Sequence, residues 1–248
     1  MAARRQPQGS SRQAARPVVE DDVGPRLRAH REEQQLSLRE VARRLSISPS
    51  ALSQIETGKS RPSVSTLYAI VSELGISLDE LFGGRQAPPA RAPSRAPKAR
   101  ARTGDPDARA EADAGRVQRS ATRHGIDLQS GVRWERLTAQ PDHDADFLYV
   151  VYDVGGSSSQ NDLFMRHAGR EYGLVLTGAL EVTVGFDTYT LGPGDSISFD
   201  STIPHRLRNT GSEPATGIWF VIGRGGDDRG QGLDTGGTAG SPRVAPLP

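Results

Sequence analysis

The 248-residue chain contains no cysteine, which excludes disulfide frameworks, thiol catalysis, zinc ribbons and cysteine-ligated iron–sulfur clusters. No apolar run approaches the roughly 18 residues that cross a bilayer. The opening residues, Arg4 and Arg5 followed by Gln, Pro, Gly and Ser, lack the apolar stretch of an export signal. The expectation is a cytoplasmic chain with no membrane contact. Aromatic residues are few, at 5%, and lysine is nearly missing: of 31 basic residues only Lys59 and Lys98 are lysines. Net charge is lacking too, at +1, which taken alone argues against a uniformly basic nucleic-acid binder.

That neutrality is an average. Residues 1–82 carry 12 basic and 10 acidic side chains, 83–123 carry 10 and 4, and 124–248 carry 9 and 16. A near-neutral head, a basic middle and an acidic second half imply parts with different partners, the acidic part avoiding DNA. The 28 glycines and 17 prolines exceed ordinary usage of roughly 12% together, so the excess is localised.

Residues 1–20 lack an apolar period and read as a disordered basic arm. From 21 to 83 apolar residues recur at helical spacing. Residues 84–125 form a Pro/Ala/Arg-rich linker, stiffened by Pro88, Pro89, Pro93 and Pro97 and extended by like charges. From 126 to 223 the period shortens towards two, in short strand-like runs separated by Gly, Pro, Asp and Ser, as in a sandwich or barrel. Residues 224–248 read as a disordered Gly/Pro-rich tail.

In the helical part, Leu38, Val41, Ala42 and Leu45 share one helix face, and Ser37-Leu38-Arg39-Glu40 opens it as a capping box. Ser48-Pro49 starts the next helix, with Leu52 and Ile55 facing inward and Gly58 at its left-handed end. Two short helices joined by three or four residues make a helix-turn-helix. A further helix carries Val64, Leu67, Val71 and Leu74 and stops at Gly75, and Ser77-Leu78-Asp79-Glu80 is a second capping box.

The stretch from Leu36 to Phe82 resembles the lambda-repressor-like helix-turn-helix of the XRE family. The resemblance implies a five-helix DNA-binding domain whose third helix, about Pro49 to Thr57, enters the major groove of double-stranded DNA. Ser48, Pro49, Ser50, Ser53 and Gln54 would face base edges, with Gln54 able to pair with adenine through its amide. Arg39, Arg43, Lys59 and Arg61 would meet phosphates, which position without specifying sequence. Leu38 departs from the polar glutamine of many relatives.

In the β part, His167 and Glu171 flank an Ala-Gly-Arg turn and His205 follows Pro204. Two imidazoles and one carboxylate match a facial site with open coordination positions, suited to one divalent metal, with Fe, Zn, Mn and Ni all open. If Glu171 points into a barrel, so do Gly173, Val175 and Thr177. Arg136, Tyr149 and Arg166 are candidate ligand contacts, and His30, His124 and His143 read as solvated. The two stretches resemble the cupin motifs. His167, Glu171 and Gly178 match the end of the first, and Gly194, His205 and Asn209 match the second, while Met165 stands where the first histidine would be. The resemblance implies a cupin double-stranded β-helix barrel with at most three metal ligands.

The fold class is therefore multidomain α + β: the DNA-binding head, the flexible linker and the barrel. The combined resemblance, to bacterial XRE–cupin regulators, implies a homodimeric transcriptional regulator and not an enzyme, whose barrel senses a small-molecule effector. The alternative is a mononuclear iron cupin oxygenase or epoxidase, similar to hydroxypropylphosphonate epoxidase, with a helical head that does not bind DNA.

Overall fold

The computed structural model describes residues 18–19, 23–82, 115–160 and 163–223. The expected tail at 224–248 lies outside the described residues, as do the expected linker up to residue 114 and the expected arm apart from residues 18–19.

Four α-helices form the head: α1 (Val23–Glu33), α2 (Leu38–Arg44), α3 (Pro49–Glu56) and α4 (Val64–Leu74). Serine hydroxyls start three of them, Ser37 accepting from the Glu40 amide, Ser48 from Ala51 and Ser63 from Thr66. These bonds satisfy amides that have no partner within the first helical turn. Gly58 and Gly75 take positive φ, 69° and 61°, and stop α3 and α4 where a side chain would be strained. Leu27, Val41, Leu52, Val64, Leu67 and Leu74 pack between the helices.

The expectation of five helices is corrected: the fifth element is a single 3-10 turn, Leu78–Glu80, and Ser77 makes no side-chain cap bond to it. The reason lies in competing contacts. Leu78, Leu81 and Phe82 are held in the core, and the Asp79 carboxylate accepts the Asp142 amide at 2.6 Å from the second domain. The first capping box is half made, since Glu40 turns to Arg44 at 2.6 Å.

The second domain has two sheets. A short strand inside the expected arm, β1 (Val18–Val19), runs parallel to β2 (His124–Leu128), so these two residues are not structureless. The strand β2 starts two residues before the expected barrel, after a 3-10 turn at Ser120–Thr122. Then come β3 (Val132–Arg136), β4 (Ala145–Tyr152), β5 (Arg170–Thr177), β6 (Leu180–Val184), β7 (Asp187–Leu191), β8 (Ser196–Asp200), β9 (His205–Arg208) and β10 (Ala215–Ile222). Their order is β1-β2-β3-β4-β10-β5-β8 in one sheet and β7-β6-β9 in the other. Burial alternates strictly along β10, with Ala215, Gly217, Trp219 and Val221 inward. The inner faces enclose a lumen filled by side chains, with about 10 Å³ of free space among Trp134, Leu148, Tyr152, Met165, Leu207 and Trp219.

The domains touch directly. The Ser65 amide of α4 donates to Ser158 O at 3.1 Å, and the Gln129 amide donates to Pro62 O at 2.9 Å. Tyr68 of α4 packs on Trp134, ring centroids 5.3 Å apart, and Asp79 faces Arg136 at 3.7 Å. The helical head thus closes the end of the barrel at which β3 presents Trp134 and Arg136.

Candidate metal centre and nucleic-acid interface

Three residues from three segments converge in the barrel. Glu171 sits second on β5, His205 opens β9, and His167 lies in the loop before β5. The Met165 backbone bridges to His205, with N–H to O distances of 2.9 and 2.8 Å, and the His167 amide donates to Ser201 O at 3.0 Å. These bonds lay the His167 loop beside the two strands. Glu171 Oε1 is 2.9 Å from His167 Nε2 and 3.0 Å from His205 Nε2, and all three side chains are nearly inaccessible.

The hydrogen positions make this arrangement informative. His167 Nδ1 lies 3.0 Å from Ala168 O, and His205 Nδ1 lies 2.9 Å from Ile203 O. A carbonyl only accepts, so each Nδ1 carries a proton, and the tautomer that ligates a metal turns the Nε2 lone pair inward. His167 Nε2, His205 Nε2 and Glu171 Oε1 are correspondingly buried without hydrogen-bond partners. Three lone pairs aimed at one point suit a cation between them. Two ligands about 2.1 Å from a common ion and at right angles lie roughly 3.0 Å apart, which the observed separations match. Among the described residues this is the one cluster whose ligand atoms all lie within 4.8 Å of each other.

Around the triad, Trp219 Nε1 donates to Glu171 Oε2 at 2.6 Å, leaving Oε1 for the centre. Burial would raise the Glu171 carboxyl, but hydrogen bonds and charge from His167 and His205 outweigh it and hold the group well below the usual carboxylate range, which requires Nε2 to carry a proton whenever it faces the carboxylate directly. Burial, and then the Glu171 charge, push the Tyr152 phenol well above its ordinary value, so it stays protonated. Met165 is buried beside these groups and offers no imidazole, so the donor set is two nitrogens and one carboxylate. Asn209 of the second motif serves the chain turn, its amide donating to Tyr152 O and Glu213 O at 2.9 and 2.8 Å.

Gly173 and Val175 face inward with Glu171, whereas Thr177 is exposed at the end of β5 and meets Thr216 at 2.7 Å. The three ligand candidates go different ways. Arg136 is buried against Asp79 at 3.7 Å, at the junction with the head. Tyr149 lies on the outer face with Arg123 over its ring at 5.4 Å. Arg166 is exposed and lines a cleft of about 920 Å³ between the domains, with His167, Tyr68 and Glu80. Of the histidines read as solvated, His143 is exposed, 3.9 Å from Glu80, whereas His30 is partly buried 3.5 Å from Glu80 and His124 is a half-buried strand residue.

On the head, α3 exposes Pro49, Ser50 and Gln54, with Ser48 exposed at its cap and Ser53 half-buried. Arg39, Arg43, Lys59 and Arg61 are exposed around it, Arg61 lying 3.5 Å from Asp127 of the barrel. The opposite face is anchored by a buried ion pair, Arg31 to Glu56, with two bonds of 2.6 and 2.8 Å. Sequence patterning misses this pair, as it misses Trp219 and Tyr68. Of these, Trp219 is within reach, since counting by twos along β10 turns it inward.

Comparison with known proteins agrees with this architecture. A helix-turn-helix family model matches residues 27–81 and a cupin domain model matches 148–221. The HTH-type transcriptional regulator PuuR of Escherichia coli is 26% identical over 199 residues, covering 80% of this chain and 91% of that one. The crystal structure of an HTH_3 family transcriptional regulator from Vibrio cholerae is 19% identical, with a TM-score of 0.52 over 82% of this chain and 95% of that one. The crystal structure of FeII HppE is also 19% identical and covers 82% of this chain and 98% of that one, at a TM-score of 0.37. The chain thus joins an XRE-type helix-turn-helix domain to a cupin domain.

Proposed function

We propose that the chain is a sequence-specific DNA-binding transcriptional regulator whose cupin domain holds one divalent metal and senses a small molecule. The observation that carries the DNA-binding reading is the recognition helix: Ser48, Pro49, Ser50 and Gln54 stand clear of the fold while Leu52, Ile55 and Glu56 anchor it. The name of the PuuR relative supports the same reading. Gln54 reads an adenine through its amide, and Arg39, Arg43, Lys59 and Arg61 meet phosphates. His167, Glu171 and His205 hold the metal, which when bound supplies open coordination positions for an oxygen or nitrogen donor. With the lumen filled, the effector enters the interdomain cleft beside His167 and Arg166. Arg136 and Tyr149 lie outside this path.

Two copies present two recognition helices to half-sites about 34 Å apart. The outer face of the large sheet suits their contact. Phe147, Phe220 and Tyr172 stand in one register row, and Tyr149, Ile218 and Leu174 in the next. No described helix is long and apolar enough to cross a membrane, and the protein acts where the chromosome is.

An electrophoretic shift with the DNA upstream of its own gene tests the reading. Wild type is expected to retard that fragment at moderate salt, and Gln54→Ala to weaken binding by the roughly 1–3 kcal/mol of a bidentate base contact. The triad keeps the mononuclear iron oxygenase or epoxidase as a second reading, because its open positions equally suit O2 and substrate. Stoichiometric iron with no sequence-specific shift establishes that reading instead.

A further inference from the structure

We infer that Tyr68, on α4 of the helix-turn-helix domain, is a positioning residue for the His167–Glu171–His205 centre, so that divalent-metal binding and docking of the two domains are coupled. The inference rests on the metal reading proposed above and adds a role for the other domain.

The three ligands are held unequally. Glu171 and His205 belong to strands, where ladder bonds fix the backbone. His167 is in a loop, with one long-range amide bond to Ser201 O and a ring bond to its neighbour Ala168 O. What covers its ring is Tyr68, stacked on it with centroids 4.4 Å apart and planes inclined by 23°. Offset or parallel contact between aromatic rings favours one relative orientation, so Tyr68 selects the ring plane that turns Nε2 towards Glu171. His205 meets the same imidazole edge-on at 5.3 Å. The His167 ring therefore stands between a ligand of its own barrel and a helix of the other domain.

That helix is itself tied to the barrel. The bonds from Ser65 to Ser158 and from Gln129 to Pro62 bracket the start of α4, and the residues between α3 and α4 include Pro62. An ion that draws the two histidines and the carboxylate together fixes the His167 ring, and a fixed ring is a better platform for Tyr68. By linkage, whatever factor docking contributes to metal affinity, metal contributes to docking. The recognition helix lies one loop away from the element that senses this.

The test uses Co2+ alone as probe on the full chain, with Tyr68→Phe keeping the ring and Tyr68→Leu keeping apolar bulk without it. Visible absorption titrations are expected to show Tyr68→Phe within about twofold of wild type and Tyr68→Leu weaker by roughly 10- to 100-fold, the range for groups that orient metal ligands. Hydrogen exchange of the Ser65 and Gln129 amides is expected to slow on adding Co2+ to wild type and Tyr68→Phe, and to stay unchanged in Tyr68→Leu and Glu171→Ala. If Tyr68→Leu melts at a lower temperature yet binds Co2+ as tightly as wild type, Tyr68 is only packing and the inference is overturned while the metal reading stands. Exchange that ignores Co2+ in wild type overturns the coupling. Wild type that binds no Co2+ overturns both.

Discussion

Trp219 shows how much of the centre depends on a residue that is not a ligand. Its indole N–H takes one oxygen of Glu171 and so decides which oxygen faces the histidines. Trp219→Phe keeps an aromatic ring and removes the donor, leaving a buried carboxylate oxygen unsatisfied. Co2+ affinity is expected to fall about tenfold, read from the same absorption titration; unchanged affinity would show that the carboxylate is oriented without it. The ligands themselves are legible in the sequence. His167 and Glu171 sit at a spacing that spans one tight turn, and His205 follows a proline at a strand entry. Tyr68 is not, and of Trp219 only the inward facing is, because an aromatic on an apolar face reads as ordinary core until its neighbours are known.

Among the elements, β5 and β10 are fitted to each other at one position. Gly173 lies opposite Trp219, and a Cβ there would stand 2.2 Å from the indole ring. Gly173→Ala must therefore displace the ring, and overpacking of this kind costs about 1–3 kcal/mol. The expected outcome is a lower melting temperature together with weaker Co2+ binding, since the displaced indole loses Glu171. A melting temperature equal to wild type would show that the strands can part without cost. In the helices, the serine caps and the glycines after α3 and α4 are readable because they act within one turn of chain. The second capping box is not made: Ser77 forms no cap bond, and the Glu80 carboxylate turns to His30 at 3.5 Å and His143 at 3.9 Å, the latter 63 residues away in the other domain. Contacts that distant in sequence leave no local pattern, and the fifth helix implied by the family resemblance is here a single 3-10 turn.

At the scale of the molecule, Asp79 ties the junction of the two domains to pH. Burial, only partly offset by the Asp142 amide and Arg136, and reinforced by Asp146 and Asp142, raises its carboxyl from 3.8 to about 6. A carboxyl that holds its proton more tightly in the folded chain contributes stability that is full below its unfolded value and is lost as pH rises through about 6. Asp79→Asn cannot titrate, so its stability relative to wild type is expected to improve as pH rises from about 4 to about 7. After allowance for residual solvent screening the change is about 1–2 kcal/mol. Thermal unfolding of the two proteins across that range checks it, and parallel profiles would show that Asp79 does not carry the linkage. The order of the two domains is legible from the change of period and charge along the chain. Their contact is not, because Tyr68, Asp79 and Arg136 become neighbours of the opposite domain only when the barrel closes against the head. One contact at that junction bears on how DNA binding responds to salt. Arg61 faces Asp127 of the barrel at 3.5 Å, and an arginine held there shares its charge with a carboxylate and releases fewer counterions when it meets a phosphate. Each phosphate contact made on duplex DNA adds about 0.9 to the slope of log affinity against log salt, so the count of ions released on binding distinguishes a head that reads DNA while docked from one that has swung free.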